Sequence, residues 1–210
     1  MNGTKRLSHR LRPALYFALI GCAGLLSGCA FGDRRVALTY TPLKQPAVRT
    51  TGTVVVTKFV DARTEKDLVG DVRNGFGSKT AKVLLKPGQC GSEWVTQAFV
   101  TELTAAGLTV TCKEPGQAST TDVVVTGELT ELYTTLYMTY DPNVRVTVTV
   151  REGSRVLLER TYQGKHVEPA VVASAQEYEK AYAGTLQDIL KQAVPDVAKA
   201  LGQGQLRANR

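Results

Sequence analysis

The sequence predicts an α+β protein, a two-layer sandwich in which a mostly antiparallel sheet carries two helices packed on one face. Three observations lead to this fold. From residue 144 to residue 151 valines alternate with polar side chains, which is typical of a strand with one buried face. Gly153-Ser154 follows as a two-residue hairpin turn, with a return strand at 155–164. Two segments, 92–106 and 174–197, each place apolar residues on one helical side.

The first 28 residues have the pattern of a secretory signal. Residues 1–13 contain four basic side chains and no acidic one, and an apolar run from Ala14 to Leu26 follows. That run is shorter than the roughly 20 residues that a membrane-spanning helix needs. The sequence Leu26-Ser27-Gly28-Cys29 then resembles the lipobox of bacterial lipoproteins; the alternative is an ordinary signal peptide with a chance cysteine.

The lipobox resemblance implies the chemistry of the anchor. In that family a diacylglycerol is added to the cysteine sulfur, the signal is cut off before the cysteine, and the new amine is usually acylated as well. Cys29 is therefore the predicted lipidation site, and the membrane is a predicted partner. Because Ala30 rather than aspartate follows the cysteine, the resemblance to sorted lipoproteins favours the outer membrane, facing the periplasm.

The rest of the chain divides into three predicted parts. Residues 29–51 are interpreted as a lipidated tether, with a short strand at 36–40. Residues 52–202 form a single α+β domain, and 203–210 form a polar tail. Removing the signal leaves 22 basic and 19 acidic residues, and this small excess without a basic–aromatic cluster gives no support for nucleic-acid binding.

The remaining elements follow from local patterns. Ser92 is a candidate N-cap for the first helix and Gly107 a candidate residue just past its end. Ser174 and the glutamate three residues later form a capping box for the second helix, which Pro195 kinks or restarts. Asp141-Pro142-Asn143 has the composition of a turn. The other predicted strands are 53–60, 82–85, 108–112 and 122–133. Strand 82–85 lies in a long excursion from residue 61 to residue 89, and Gly127 is a candidate bulge in strand 122–133.

Cys90 and Cys112 are the two cysteines left after lipidation. In an oxidising compartment a disulfide is the first interpretation, with free thiols and a metal site as alternatives. A helix of about 14 residues covers roughly 21 Å, and five strand residues return roughly 17 Å. This geometry predicts that Cys112 comes back close to the start of the helix, where Cys90 lies.

The candidate catalytic residues in the sequence do not form a recognisable catalytic motif. Residues 70–75 match the first half of a phosphate-binding loop, but Phe76 stands where lysine is required. The neighbours Ser78 and Lys79 have the wrong spacing for a nucleophile and its base. His166 has no obvious partner and is interpreted as a solvated loop residue. We expect no enzymatic activity, no cofactor and no metal.

Two groups of side chains carry alternative interpretations. Asp61 and Arg63 are predicted to form an ion pair that orders the loop after a strand, the alternative being a functional carboxylate–guanidinium pair. Tyr133, Tyr137 and Tyr140 are predicted to pack in the core or on a hairpin. Their alternative role is an aromatic strip for a glycan or a protein partner.

Several short motifs together resemble the YajG family of bacterial lipoproteins. Besides the lipobox they are Leu38-Thr39-Tyr40-Thr41-Pro42, Val60-Asp61-Ala62-Arg63, Val69-Gly70, Asn74, Ala106-Gly107 and a closing amphipathic helix. The resemblance implies no enzymatic activity, and it makes Asp61, Arg63, Gly70 and Asn74 motif positions without an established chemical role. Cys90 and Cys112 lie outside the motif. The layout also resembles, in architecture alone, the assembly lipoproteins of the LptE type.

These patterns favour a non-catalytic envelope lipoprotein. Its expected role is binding or structural, with an envelope protein or a cell-wall component as partner. The alternative is an accessory subunit of a lipid or lipopolysaccharide transport complex, which differs in requiring a stable complex with a membrane transporter or barrel. An envelope hydrolase is a third hypothesis.

Overall fold

The structure, a computed structural model, describes residues 32–120, 122–170 and 174–208. The signal segment and Cys29 lie outside the described residues. The described residues form ten strands and two helices, and neither helix is long and apolar enough to cross a membrane. In chain order the elements are β1 (Arg34–Val36), β2 (Gly52–Thr57), β3 (Val60–Asp61), β4 (Leu68–Arg73), β5 (Lys79–Leu85), α1 (Gly91–Ala105), β6 (Leu108–Lys113), β7 (Val123–Tyr137), β8 (Thr139–Glu152), β9 (Arg155–Lys165), β10 (Glu168–Pro169) and α2 (Ala175–Ala208).

The sheet is built around β7. One edge of β7 pairs with β8 in an antiparallel ladder along its whole length, and β9 continues the sheet beyond β8. The other edge of β7 receives β2, β3 and β4 in succession, all parallel to it. Beyond β2 lies β6, and beyond β4 lie β5 and then β1. The α+β class is confirmed, and the sheet is open and mixed, because the longest ladders are antiparallel whereas the short strands on the second edge run parallel.

Both helices contribute side chains to one hydrophobic core. Alternate residues of β8, Val144 to Val150, are fully buried, as the alternation predicts. The ring of Phe99 on α1 lies 5.0 Å from that of Phe59, and the rings of Tyr178 on α2 and Tyr140 on β8 meet edge to face at 4.6 Å. These contacts fix α1 to the connection between β2 and β3, and α2 to β8, by aromatic packing.

The segment predicted as a tether is part of the fold from Asp33 onward. β1 pairs with β5, and Val36 and Leu38 are buried. Farther along, the Thr50 amide donates to the Ala106 carbonyl at 2.8 Å. The prediction was wrong here because a few well-placed apolar residues suffice for an edge strand, even in a segment of low average hydropathy. The predicted tail also differs, since α2 continues through Pro195 and ends at Ala208.

Local signals placed some turns correctly and others wrongly. The Gly153-Ser154 hairpin is confirmed, with a φ of 58° at Gly153. Residues 141–143 lie inside β8 and not in a turn, and the β7–β8 turn instead uses Met138 at a φ of 62°. The bulge of β7 lies between Leu129 and Glu131, not at Gly127.

Gly127 has a packing role instead. A Cβ atom at this position would lie 2.3 Å from Cε2 of Phe59, so only glycine leaves room for the ring. The excursion predicted for 61–89 is largely ordered as the β4–β5 hairpin. At the helix starts, Ser174 Oγ accepts the Glu177 amide at 3.3 Å as predicted, whereas α1 is capped at Cys90 and not at Ser92.

The predicted bridge between Cys90 and Cys112 is absent, because both are free thiols in the structure. Cys112 lies level with Val125 of β7, since both are paired in register with the same residue of β2. Gly91, next to Cys90, packs against Leu129. The four strand residues from Val125 to Leu129 span about 13 Å, whereas a disulfide needs Cα atoms within about 7 Å. The helix therefore starts too far along β7 for the bridge.

Candidate functional site

Asp61 and Arg63 form a buried ion pair where β3 ends. Arg63 Nε donates to Asp61 Oδ1 at 2.9 Å and Nη2 donates to Oδ2 at 2.7 Å, a bidentate arrangement. The side chains are only 7% and 5% exposed. The ion pair that the sequence predicted is present.

The same guanidinium fixes the β3–β4 loop. Arg63 also donates to the carbonyls of Lys66, Leu68 and Leu132 at 2.7, 3.2 and 3.3 Å. All three guanidinium nitrogens are thereby engaged with the protein, and the loop is tied to β7 at Leu132. This pair can therefore act on function only by positioning the strands that follow it.

Gly70 sets how closely β4 approaches β7. A Cβ at Gly70 would lie 2.3 Å from the Thr134 carbonyl oxygen, so a side chain at this position would push the two strands apart. A Cβ at Gly70 and the side chain of Asp71 would lie on opposite faces of the sheet, because successive strand residues alternate between faces. Gly70 therefore faces Thr134 closely, and Asp71 lies on the other face.

Asp71 is the centre of a polar cluster that the sequence analysis missed. Its carboxylate is 2% exposed and lies 2.9 Å from Lys79 Nζ, while the Tyr133 hydroxyl donates to it at 2.9 Å and Arg73 Nε at 3.3 Å. Burial raises the pKa of Asp71, but the hydrogen bonds from Lys79, Tyr133 and Arg73 outweigh burial and lower the pKa overall. A carboxylate held in this way is a poor proton acceptor, so the cluster suits structure better than acid–base chemistry.

Asn74 builds the turn that joins β4 to β5. Its Oδ1 accepts the amides of Phe76 and Ser78, both at 3.0 Å, and Gly77 has a φ of 79°. The Asn74-Gly75 dipeptide is a strong hairpin signal that the sequence analysis did not use. This turn presents Phe76 to solvent with 94% of the residue exposed.

The β7–β8 turn lies beside this one. The Tyr137 hydroxyl donates to the Gly75 carbonyl at 3.1 Å, which joins the two hairpin ends. Tyr137 is 42% exposed and Met138 80% exposed. We call Phe76, Tyr137 and Met138 together the apolar tip. A cavity of about 470 Å³ opens between the two turns, with Arg73 on its wall.

The other candidate residues are dispersed. The sequence showed no obvious partner for His166, but the structure places two carboxylates beside it. Its Nε2 lies 2.9 Å from Glu168 Oε1, and its Nδ1 lies 3.7 Å from Asp188 Oδ2. Tyr140 is fully buried, as the core interpretation predicts, whereas Tyr133 and Tyr137 bond to the β4–β5 hairpin. Within residues 32–120, 122–170 and 174–208, no three His, Cys, Asp or Glu residues are placed to hold a metal ion.

Comparison with known proteins shows likeness in fold. No protein-family model matches the chain, and no curated protein matches it in sequence. The structure is similar to that of protein XCC0632 from Xanthomonas campestris, of family DUF330, with a TM-score of 0.57 and 14% identity over 84% of this chain and 99% of that one. This likeness shows a shared fold.

Two further solved structures are more distant. Protein CT253 from Chlamydia trachomatis has a TM-score of 0.47 and 14% identity, over 70% of this chain and 96% of that one. An uncharacterized protein has a TM-score of 0.44 and 10% identity, over 80% of this chain and 99% of that one.

Proposed function

We propose that the chain is a lipid-anchored envelope lipoprotein that acts by binding or as a structural component, and not by catalysis. Lipid on Cys29 attaches it to the periplasmic face of the outer membrane. The observation that carries the proposal is the Leu26-Ser27-Gly28-Cys29 lipobox, which directly precedes the folded unit beginning at Asp33. Only three residues then separate the anchor from the fold, so the domain stays next to the bilayer.

The polar groups near the tip support a binding role. Asp71 is saturated by its three donors, and Arg63 directs its guanidinium at the protein's own carbonyls. Two apolar side chains, Phe76 and Met138, are largely exposed at this end of the sheet, near the exposed Lys79. Neighbouring exposed apolar side chains favour a contact surface over a reaction centre.

We further propose membership of the YajG family and a two-layer arrangement with both helices on one face of the sheet. The motif positions support the first proposal, because each has a structural role in the segment from β3 to β5. Asp61 and Arg63 form the ion pair, Gly70 allows the close approach to Thr134, and Asn74 builds the β4–β5 turn. The packing of Tyr178 and Phe99 into one core supports the second proposal.

Acyl labelling tests the anchor. The wild-type chain grown with a labelled fatty acid should carry the label and sediment with outer membranes, whereas Cys29→Ser should lose the label. Cys90→Ser is the matched control and should keep it, because Cys90 lies inside the folded unit. Equal label in wild type and Cys29→Ser would overturn the proposal.

Crosslinking in intact cells tests the role. We expect the labelled protein to crosslink to an envelope protein or to the cell wall. A stable complex with a transporter or an outer-membrane barrel would instead assign the chain to a lipid-transport assembly.

A further inference from the structure

We propose that the apolar tip inserts into the surface of the same bilayer that holds the lipid anchor. The inference rests on the proposed lipid anchor at Cys29, and it adds a second, non-covalent membrane contact that fixes the orientation of the domain. Three observations carry it: the construction of the tip, the direction in which the chain leaves the fold, and the charge beside the tip.

The tip holds apolar side chains outward on an ordered frame. Two Asn74 hydrogen bonds and the Tyr137–Gly75 bond hold the turn that exposes Phe76. Met138 occupies the left-handed region, with a φ of 62°, where glycine and asparagine are the usual residues. An exposed methionine there gains nothing from packing within the fold. An amphipathic tyrosine beside two apolar side chains suits the boundary between headgroups and acyl chains.

The chain enters the fold from the same end. β1 runs parallel to β5 with Arg34 opposite Val83, and the Asp33 carboxylate accepts the Lys82 amide at 2.9 Å. The N-terminal end of β1 therefore lies on the side of the sheet where the β4–β5 turn is. Ser78 lies four positions before Lys82, about 13 Å along the strand. Cys29 also lies four positions before Asp33, and four Cα–Cα steps reach at most about 14 Å. The anchor thus has the length needed to enter the bilayer where the tip would meet it.

The charge beside the tip matches an anionic surface. Arg73 and Lys79 both pair with Asp71, and Lys165 lies 3.8 Å from Asp141, which lines the cavity between the two turns. These three cations exceed the two carboxylates by one charge. Lys79 is also largely exposed, so its ammonium group is accessible to a headgroup phosphate. Binding of amphipathic surfaces to bilayers combines buried apolar area with attraction to anionic lipids, and the tip offers both.

The test is fluorescence quenching on the full lipidated chain. Phe76→Trp places a reporter on the tip, and Val156→Trp places a matched reporter at the opposite end of β8, where Val156 pairs with Arg151 and is 44% exposed. The twelve residues between Thr139 and Arg151 span about 40 Å. The native Trp94 is buried and is the same background in both proteins. The vesicles contain phosphatidylethanolamine and phosphatidylglycerol with bromine high on the acyl chains.

We expect Phe76→Trp to be quenched several-fold more than Val156→Trp, and a second change, Met138→Ser, to reduce that quenching. Acyl labelling of the same preparations separates the two proposals. A labelled protein with equal, weak quenching at both positions would overturn the membrane contact, leave the anchor standing and point to a protein partner for the tip. A protein without label would overturn the proposed anchor and this inference with it.

Discussion

Replacing Arg63 by methionine tests whether the Asp61–Arg63 pair holds the β3–β4 loop on β7. The change would leave the Asp61 carboxylate, whose side chain is 5% exposed, without its bidentate partner. It would also remove the donors to the carbonyls of Lys66, Leu68 and Leu132. Removing one partner of a buried ion pair costs about 3–5 kcal/mol. We therefore expect the free energy of unfolding to fall by about 4 kcal/mol, a large share of the roughly 5–15 kcal/mol of a typical domain.

Two further variants separate charge from shape. The double variant Asp61→Leu/Arg63→Met removes both charges together, and because no unpaired charge remains buried it should recover at least half of the loss. Arg160→Met is the control, since Arg160 pairs with Asp196 at 2.8 Å while its side chain is 58% exposed. Exposed pairs of this kind contribute about 0–1 kcal/mol.

Urea denaturation followed by far-UV circular dichroism measures all three variants. The dependence of unfolding free energy on urea should be unchanged, so that shifts in midpoint report stability. A loss in Arg63→Met as small as that in Arg160→Met would refute a structural role for the pair. A double variant no more stable than the single one would show that loop carbonyls, and not the unpaired carboxylate, dominate the cost.

Three other predictions follow from the packing, the polar cluster and the thiols. Gly127→Ala should lower the free energy of unfolding by about 1–3 kcal/mol in thermal melts, because its Cβ would lie 2.3 Å from Phe59; an unchanged melting temperature would contradict this. The pKa of Asp71 is lowered on folding, so its stabilisation is present above about pH 4 and is lost as the pH falls through the folded-state pKa. Lowering the pH should therefore reduce the free energy of unfolding of the wild type more than that of Asp71→Asn. If the free energies of the two proteins fall equally with pH, this prediction is wrong. Thiol titration of unreduced, denatured, acylated protein should find both Cys90 and Cys112, and finding neither would restore the disulfide.

Sequence reasoning succeeded where one element carries the whole signal. The valine alternation of β8 reports its buried face, and the glycine of the Gly153 hairpin reports a backbone conformation that other residues avoid. The Asp61–Arg63 pair could also be predicted from the sequence, since two residues of opposite charge lie two positions apart at a strand end. In each case the physical cause lies within a few residues of the chain.

The failures arose where contacts join distant segments. The bridge between Cys90 and Cys112 was inferred from lengths alone, but the placement of α1 along β7 sets where each thiol lies. The segment after Asp33 has a weak local signal, yet it forms an edge strand because β5 offers unpaired backbone groups beside it.

The sequence by itself determined the α+β class, the two helices and the β8–β9 hairpin, because these depend on residue type and spacing along one stretch of chain. The export signal with its lipobox stays a prediction from the sequence. Tertiary structure alone decided that β2, β3 and β4 share one edge of β7, and that Asp71, Lys79 and Tyr133 meet there. It also placed Phe76 beside Tyr137. Strand order is a choice among many pairings of similar local energy, and only the burial of all the strands against the helices selects one of them.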